Sequence, residues 1–155
     1  MGLSARHIRE KLDLLVTGMT GLRDDGRFHE PNLDGSAGDY ISFDSWEWPQ
    51  GVGLYGLIRM WQFTGRDDLK SLIESWYAGR IEAGLPQLNV NTTAPVLGLS
   101  GLWRETRDPR WQPVLDAWAN RAVTEMGRTR EGAFAHHVSD KVNDDELWDD
   151  TLYMV

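Results

Sequence analysis

Side chains that could do chemistry fall into three short clusters along the chain. The first spans residues 46–51 and contains two tryptophans, and the second spans the polar residues 89–95. The third joins His136 and His137 to residues 148–151, which read Trp, Asp, Asp and Thr. Carboxyl and imidazole groups transfer protons near neutral pH, and tryptophan rings stack on the apolar faces of sugars. The clusters are therefore candidates for one site, provided that the fold brings them together.

Each cluster also has an ordinary structural explanation. Asn91 or Thr92 can cap a helix, and the two tryptophans of the first cluster stand in alternate positions, so that one can be buried and the other exposed. Neighbouring histidines are often surface residues. Asp149 and Asp150 can complement the dipole at the start of a helix. The functional interpretation depends on a shared location for the three clusters.

Several other chemistries are disfavoured by the sequence. The chain has no cysteine, which excludes disulfides and thiolate catalysis. His136 and His137 lack the i, i+4 spacing of a helical zinc pair, and the acids of residues 144–150 lack the pattern of a calcium loop. There is no nucleophilic-serine elbow and no glycine-rich phosphate loop. We therefore expect no metal and no cofactor.

The composition and charge indicate an ordinary globular chain. It has 155 residues, of which 41% are hydrophobic and 26% charged, and 8 are tryptophans. The net charge of -8 argues against nucleic acid as a partner, because phosphate binding needs clustered basic residues. Neither a secretion signal nor a membrane-spanning run is recognisable. We expect a cytoplasmic protein without a nucleic-acid or membrane partner.

The spacing of apolar residues predicts six helices and no strand. Five of their predicted starts are Ala5 (after an N-cap at Ser4), Pro49, Pro95, Pro109 (after an N-cap at Asp108) and Asp145. The remaining helix follows a break at Gly65 and is marked by Leu69, Leu72, Ile73 and Trp76. A polar stretch over residues 21–39 predicts a loop. The last helix has barely begun when the sequence ends at Val155, so we expect the chain to be truncated.

The middle helices repeat with a period of 42 residues. Leu54, Leu57 and Trp61 correspond to Val96, Leu99 and Trp103, and Leu69, Ile73 and Trp76 correspond to Trp111, Leu115 and Trp118. Two helices per repeat predict stacked αα-hairpins, in an open solenoid or a closed toroid. In such a fold the equivalent helices begin at the same end. The three clusters lie at these starts and are predicted to form one pocket.

The three clusters resemble the unsaturated glucuronyl and rhamnogalacturonyl hydrolases, known as glycoside hydrolase families 88 and 105. The resembling segments are residues 46–56, 85–95 and 132–154, the last being the most specific, and the rhamnogalacturonyl branch is the closer match. The resemblance implies an all-α fold, an (α/α)6 barrel of αα-hairpins truncated after about two and a half hairpins. Residues 1–155 would then be a single incomplete barrel domain.

The resemblance also implies an activity and a substrate. Members of the family remove the terminal 4,5-unsaturated uronic acid that polysaccharide lyases leave on an oligosaccharide. They hydrate the C4=C5 double bond instead of using a pair of carboxylates for displacement. The resemblance assigns proton transfer to Asp150, with burial beside Trp148 and Asp149 expected to tune this acid.

The remaining site residues carry over as substrate contacts. The full set of these residues is Trp46, Trp48, Asn91, His136, His137, Trp148 and Asp149. Asn91 stands where the glucuronyl branch has a second Asp, and this departure leaves the second acidic role unassigned.

Two other functional classes stay open. One is a non-catalytic helical-repeat module that binds carbohydrate or protein, and the other is a different (α/α)-toroid enzyme acting on uronic-acid sugars. The intact motif of residues 148–151 favours the hydrolase, whereas an early end of the chain favours an inactive remnant. An incomplete toroid also leaves apolar helix faces uncovered, so we expect self-association through them.

Overall fold

The regular structure of the chain is helical. A computed structural model describes residues 2, 4–27 and 30–155, and within them the helices are α1 (Ala5–Thr20), α2 (Trp48–Thr64), α3 (Asp67–Ala83), α4 (Val90–Thr106), α5 (Gln112–Glu125) and α6 (Thr151–Met154). In the same residues β pairing is limited to two isolated bridges. The all-α prediction is confirmed. The predicted loop 21–39 includes residues 28 and 29, which lie outside the described part of the chain.

The 42-residue repeat is confirmed by the helix bounds. Helix α4 starts and ends 42 residues after the corresponding ends of α2. Both helices stop at a residue in the left-handed conformation, Gly65 with φ 66° and Arg107 with φ 53°. In each case the backbone N–H of that residue closes the last turn. Two equivalent αα-hairpins, α2–α3 and α4–α5, therefore form the body of the chain.

The repeated apolar positions build one core between the hairpins. Leu54 and Leu57 of α2 and Leu99 of α4 are buried, as are Trp76 and Trp118 of the outer helices. The 42-residue repeat predicts that its four tryptophans, Trp61, Trp76, Trp103 and Trp118, are largely buried, and this is confirmed for Trp76 and Trp118. The other repeat pair of tryptophans, Trp61 and Trp103 on the inner helices, lies at the edge of the core and is only partly buried.

Helices α2 and α4 are in tight contact at Gly51. A Cβ atom at Gly51 would lie 2.6 Å from the backbone of Ala94 and Pro95, so only glycine fits this position. The structure places Pro95 in the second turn of α4, and the prediction of a first-turn proline is wrong. Because proline has no N–H, the Asn91 carbonyl loses its usual helical donor at this point.

Tyr77 of α3 anchors the outer layer to α4. Its side chain is fully buried, and its hydroxyl donates a hydrogen bond to the Pro95 carbonyl at 2.8 Å. Burial raises the pKa of the Tyr77 phenol. The ring packs edge-on against Trp46 and Trp76, at centroid distances of 5.9 and 5.1 Å. Tyr77 therefore joins three elements at the end of the bundle where the polar clusters lie.

Replacing Tyr77 with Phe should lower the free energy of unfolding by about 1 kcal/mol, because a buried hydrogen bond is lost while the ring stays. Urea unfolding followed by circular dichroism measures this difference. The control is Tyr55→Phe on α2, whose side chain is exposed; this change should have almost no effect. Equal stability of the two variants would contradict the anchoring role of the Tyr77 hydroxyl.

Two predicted helix starts differ from the structure. Helix α1 begins after Ser4, whose Oγ accepts a hydrogen bond from the His7 backbone as predicted. Helix α5, however, begins at Gln112 instead of Pro109. The Asp108 carboxylate accepts from the Arg110 N–H at 3.0 Å and from its guanidinium at 2.6 Å. These bonds hold residues 108–111 in a turn, and the helix starts only after it.

The apolar face of α1 is largely uncovered. Its helix contains no buried residue, and Leu14 and Leu15 are among the exposed large hydrophobic side chains. Leu152 and Tyr153 are exposed in the same way at the other end of the chain. Self-association through such faces stays a prediction. None of the helices in the described residues has the length and apolar character needed to cross a membrane.

Candidate active site

The starts of α2 and α4 and the segment 127–150 meet at one end of the bundle. The Trp46 indole N–H donates to the Thr92 carbonyl at 2.8 Å, which ties the first cluster to the second. The Val90 backbone N–H donates to the His137 carbonyl at 2.9 Å, which ties the second cluster to the third. The fold thus brings together the three polar clusters of the sequence.

His136 and Asp150 form the centre of the third cluster. The His136 ring is 4% exposed, and its Nδ1 lies 2.8 Å from Thr151 Oγ1 and 3.5 Å from Asp150 Oδ1. The face of the imidazole stacks on the Trp148 ring, with a centroid distance of 4.2 Å and an interplanar angle of 5°. The imidazole is therefore packed against an aromatic ring and has two side-chain oxygens near its Nδ1. One of these oxygens belongs to Asp150, an acid that could transfer a proton.

The two acids of the motif are more open than the sequence suggested. The Asp150 side chain is 51% exposed, and Asp149 is also exposed. Trp148 keeps 48% of its surface exposed, with its indole N–H donating to Glu146 at 2.9 Å. The burial that we expected to tune Asp150 is therefore absent in this chain. What Asp150 has instead is a fixed neighbour, the buried His136 imidazole.

The last helix is shorter than predicted. Asp145 adopts the left-handed conformation with φ 61°, which an α-helix cannot contain. Its carboxylate binds the Arg130 backbone N–H at 2.9 Å and the Arg130 guanidinium at 2.6 Å. The chain therefore stays irregular through residues 145–150, and α6 begins only at Thr151. This local structure leaves Trp148 and Asp150 on a loop before the helix.

The second cluster divides between capping and the site. The N-cap of α4 is Asn89, which forms a reciprocal capping box with Thr92. Neither Asn91 nor Thr92 is the N-cap. Asn91 lies inside the first turn, is 5% exposed and directs its amide at the Tyr40 hydroxyl at 3.4 Å. The cap is therefore accounted for without Asn91, whose amide belongs to a polar group at the start of α4.

The two tryptophans of the first cluster have different environments. Trp46 is buried, stacks on Trp76 at 5.3 Å and contacts Trp118 at 6.2 Å. Its predicted role in substrate binding is not supported by this position, since its ring belongs to the core. Trp48 begins α2 and is 45% exposed, so its ring is free to face a ligand. The alternation of one buried and one exposed tryptophan is as predicted.

His137 is turned away from His136. Its Nε2 lies 2.9 Å from the exposed Asp144 carboxylate. The ring packs against Gly127, where an added Cβ would lie 2.6 Å from His137 Cε1. Its backbone carbonyl serves α4 through Val90. Of the adjacent pair, His136 is therefore the one that faces Asp150, and His137 holds the loop in place.

Glu47 is an acidic residue of the site that the sequence-based assignment missed. Its side chain is 7% exposed, and its Oε1 accepts a hydrogen bond from Ser139 Oγ. Burial raises the pKa of Glu47 to about 7, although hydrogen bonds from Ser139, the Trp48 N–H and Asn91 oppose this rise. The signal in the sequence was an acid between two tryptophans at a helix start. Its partner Ser139, 92 positions away, had no such signal.

Stability should therefore fall with pH as Glu47 ionises. The pKa of Glu47 is raised from 4.5 to about 7 on folding, so the stabilisation is complete below pH 4.5 and is lost as pH rises to about 7. Relative to the Glu47→Gln variant, the wild-type chain should lose up to about 3 kcal/mol of unfolding free energy between pH 5 and 8. Urea unfolding across this pH range measures the difference. The exposed Glu131→Gln change is the control, and parallel pH curves for wild type and Glu47→Gln would contradict the burial of Glu47.

The donor set does not point to a metal. Within residues 4–27 and 30–155, no three His, Cys, Asp or Glu side chains are grouped closely enough to hold an ion. Asp145 forms an ion pair with Arg130, and Asp144 contacts the His137 ring. The expectation of a metal-free and cofactor-free site stays a prediction. The chemistry available at this end of the bundle is proton transfer by carboxyl groups, aided by aromatic surfaces.

Residues 25–155, which hold all three clusters, match the profile of Glycosyl Hydrolase Family 88. The chain belongs to this family. It is 29% identical over 112 residues to the unsaturated rhamnogalacturonyl hydrolase YesR of Bacillus subtilis. The aligned region covers 71% of this chain and 33% of YesR. The family resemblance inferred from the motifs is thereby confirmed.

Two solved structures have the same fold as this family 88 chain. A possible member of family GH105 from Klebsiella pneumoniae superposes with a TM-score of 0.93 at 33% identity, covering 99% of this chain and 41% of that one. A possible GH105 member from Salmonella enterica serovar Paratyphi A gives a TM-score of 0.94 at 34% identity, with the same coverage. The predicted fold class, part of an (α/α)6 barrel, is confirmed. The chain spans the N-terminal portion of the family, a third to two fifths of the length of these relatives.

Proposed function

We propose that this chain belongs to an enzyme that removes the terminal 4,5-unsaturated uronic acid from oligosaccharides produced by lyases, of the rhamnogalacturonan type. The observation that carries the proposal is the placement of Asp150 at 3.5 Å from a buried imidazole that stacks on a half-exposed tryptophan. An acid beside an aromatic surface suits proton transfer to a bound sugar. The name of the relative YesR supports this substrate class.

Asp150 is the proposed proton donor and acceptor. The reaction begins when its protonated carboxyl group gives a proton to C4 of the C4=C5 vinyl ether. Water then adds to C5 and returns a proton to the carboxylate. The resulting hemiketal rearranges and expels the neighbouring sugar, so the carboxyl group is regenerated in each cycle. The His136 Nδ1 contacts Thr151 Oγ1 at 2.8 Å and lies 3.5 Å from Asp150 Oδ1, so the buried imidazole borders the carboxyl group.

The substrate contacts are proposed at the starts of α2 and α4 and on the loop that carries Asp150. The rings of Trp48 and Trp148 are about half exposed and border the position of the uronate. Asn91 supplies an amide from the first turn of α4, and Asp149 lies next to the catalytic acid as a loop residue. The dipoles of the two helix starts favour the negative charge of the uronate carboxylate. Residues 1–155 contribute these groups as one incomplete barrel domain, which we place in the cytoplasm.

Turnover of an unsaturated galacturonyl-rhamnose disaccharide tests the proposal. The protein assayed is a chimera in which residues 1–155 precede the C-terminal portion of the Klebsiella pneumoniae relative. We expect loss of the ultraviolet absorbance of the conjugated double bond, with release of rhamnose. A chimera that is folded and binds the disaccharide without turning it over would overturn the proposal in favour of a binding module. A saturated disaccharide of the same sugars is the control and should not be cleaved.

A further inference from the structure

Ser139 joins three separate parts of the chain. Its Oγ donates to Glu47 and accepts a hydrogen bond from the Asn89 amide at 3.1 Å. Its carbonyl accepts from the Leu33 backbone N–H at 2.8 Å. Ser139 itself is 7% exposed, so these bonds are protected from water. One buried hydroxyl therefore links the loop before α2, the cap of α4 and the segment that follows His136.

Glu47 is the acceptor that completes this junction. It is the N-cap residue of α2 and directly precedes Trp48, while Ser139 lies three residues after His136. The bond between Glu47 and Ser139 therefore connects the tryptophan side of the candidate site to its histidine side. The neighbouring bond from the Val90 N–H to the His137 carbonyl also ties the histidine side, in this case to the start of α4. Loss of the Glu47 acceptor would remove the side-chain bond between the segment 136–139 and the start of α2, while the bonds to α4 and to Leu33 would remain.

The second carboxylate oxygen of Glu47 lacks a good hydrogen bond within the described part of the chain, so the junction is not optimised for stability. Glu47 Oε2 is buried and accepts no well-formed hydrogen bond from the described residues. A buried acid with an unsatisfied oxygen costs free energy, so a neutral acceptor at this position would serve a purely structural purpose better. Such locally unfavourable groups are typical of functional sites.

We propose that Glu47 is a positioning residue of the candidate active site, which holds the segment 136–139 against the first turns of α2 and α4 through Ser139. The consequence for catalysis rests on the proposed function, because His136 in turn contacts Asp150. The positioning itself does not depend on activity and is tested separately from it.

The described groups that act most strongly on Glu47 include hydrogen-bond donors but no basic side chain. Asp140 acts on Glu47 as a like charge, and Tyr40 donates its hydroxyl to Asp140 at 3.0 Å. Among the basic side chains near the loop, Arg80 donates to the Asp44 carbonyl at 2.7 Å. Opening of the junction would release the Glu47 carboxylate to water. Opening is therefore expected to become easier as pH rises and Glu47 ionises.

Amide hydrogen exchange measured by NMR on the 155-residue chain tests the positioning. The reporters are the Leu33 and Val90 amides, whose acceptors are the carbonyls of Ser139 and His137, and the control is the Gly65 amide, bonded to Trp61 at the far end of α2. Glu47→Leu and Ser139→Ala should each speed exchange of both reporters by about tenfold, because the loss of one hydrogen bond raises the population of the open state by about this factor. The double variant should be no faster than either single one. Unchanged exchange, or an equal rise at Gly65, would overturn the proposal.

The conservative variant and the pH profile separate positioning from simple loss of packing. Glu47→Gln keeps an acceptor for Ser139 and should restore most of the protection that Glu47→Leu removes. In the wild type the protection factor of Val90 should fall between pH 5 and 8, whereas in Glu47→Gln it should stay constant. This comparison decides the question even if Glu47→Leu does not fold, and a wild-type profile as flat as that of Glu47→Gln would refute the proposal.

The catalytic consequence is read in the chimera with the disaccharide. Glu47→Leu should lower kcat about tenfold with a smaller change in KM, and Glu47→Gln should lose less. An inactive wild-type chimera would refute the proposed function while leaving the exchange result intact. An active chimera with unchanged kcat in both variants would refute the catalytic consequence alone.

Discussion

Replacing Asp150 with Asn in the chimera is expected to lower kcat for the unsaturated disaccharide by about 10²–10⁴-fold, the usual contribution of general acid–base catalysis. The amide has the size and hydrogen-bonding capacity of the acid, but it cannot give a proton to C4 or take one from water. Its contact with His136, at 3.5 Å from Nδ1 in the wild type, can persist. Binding of the disaccharide, measured by calorimetry, should therefore change little.

Asp149→Asn is the matched control for this experiment. The two acids are adjacent and both exposed, but the described contacts place only Asp150 at the His136 imidazole. We expect a smaller loss of kcat from Asp149→Asn. Near-normal turnover by the Asp150→Asn chimera would reject Asp150 as the proton donor, and a larger loss at Asp149 would transfer that role to its neighbour.

Replacing Gly51 with Ala should destabilise the chain by at least about 2 kcal/mol, the cost of overpacking a rigid interface. The added Cβ would lie 2.6 Å from the Ala94 carbonyl carbon and the Pro95 nitrogen, which are backbone atoms and cannot rotate away. Helices α2 and α4 would have to separate where both begin. Urea unfolding measures the loss, and the same displacement should speed hydrogen exchange of the Val90 amide.

Gly56→Ala on the same helix is the control. Apart from adjacent residues and the backbone of its own helix, no atom of the described residues lies within 4 Å of the Cβ that this change would add, and the position is exposed. Because alanine has the higher helix propensity, this variant should gain about 0.5–1 kcal/mol. Similar stabilities for the two alanine variants would mean that α2 and α4 are not in tight contact at Gly51.

The sequence by itself determined the helical architecture. Apolar spacing at Leu54, Leu57 and Leu99 placed the inner helices, and the predicted 42-residue period matches the observed offset between the ends of α2 and α4. These features are readable because burial of one helix face imposes a regular pattern on neighbouring positions. The family, too, was readable from short contiguous motifs. The location of the three clusters followed from the repeat, since equivalent helices begin at the same end of the bundle.

Only the tertiary structure decided which side chains of those clusters face one another. The sequence could not distinguish Trp46 from Trp48, and the choice was made by the stacking of Trp46 on Trp76. Nor could it predict that Arg130 would hold Asp145 in a left-handed turn and so delay α6. The pairing of Glu47 with Ser139 joins positions that are 92 residues apart. Such contacts depend on how the hairpins and loops pack, and the packing of distant segments leaves no periodic trace in the sequence.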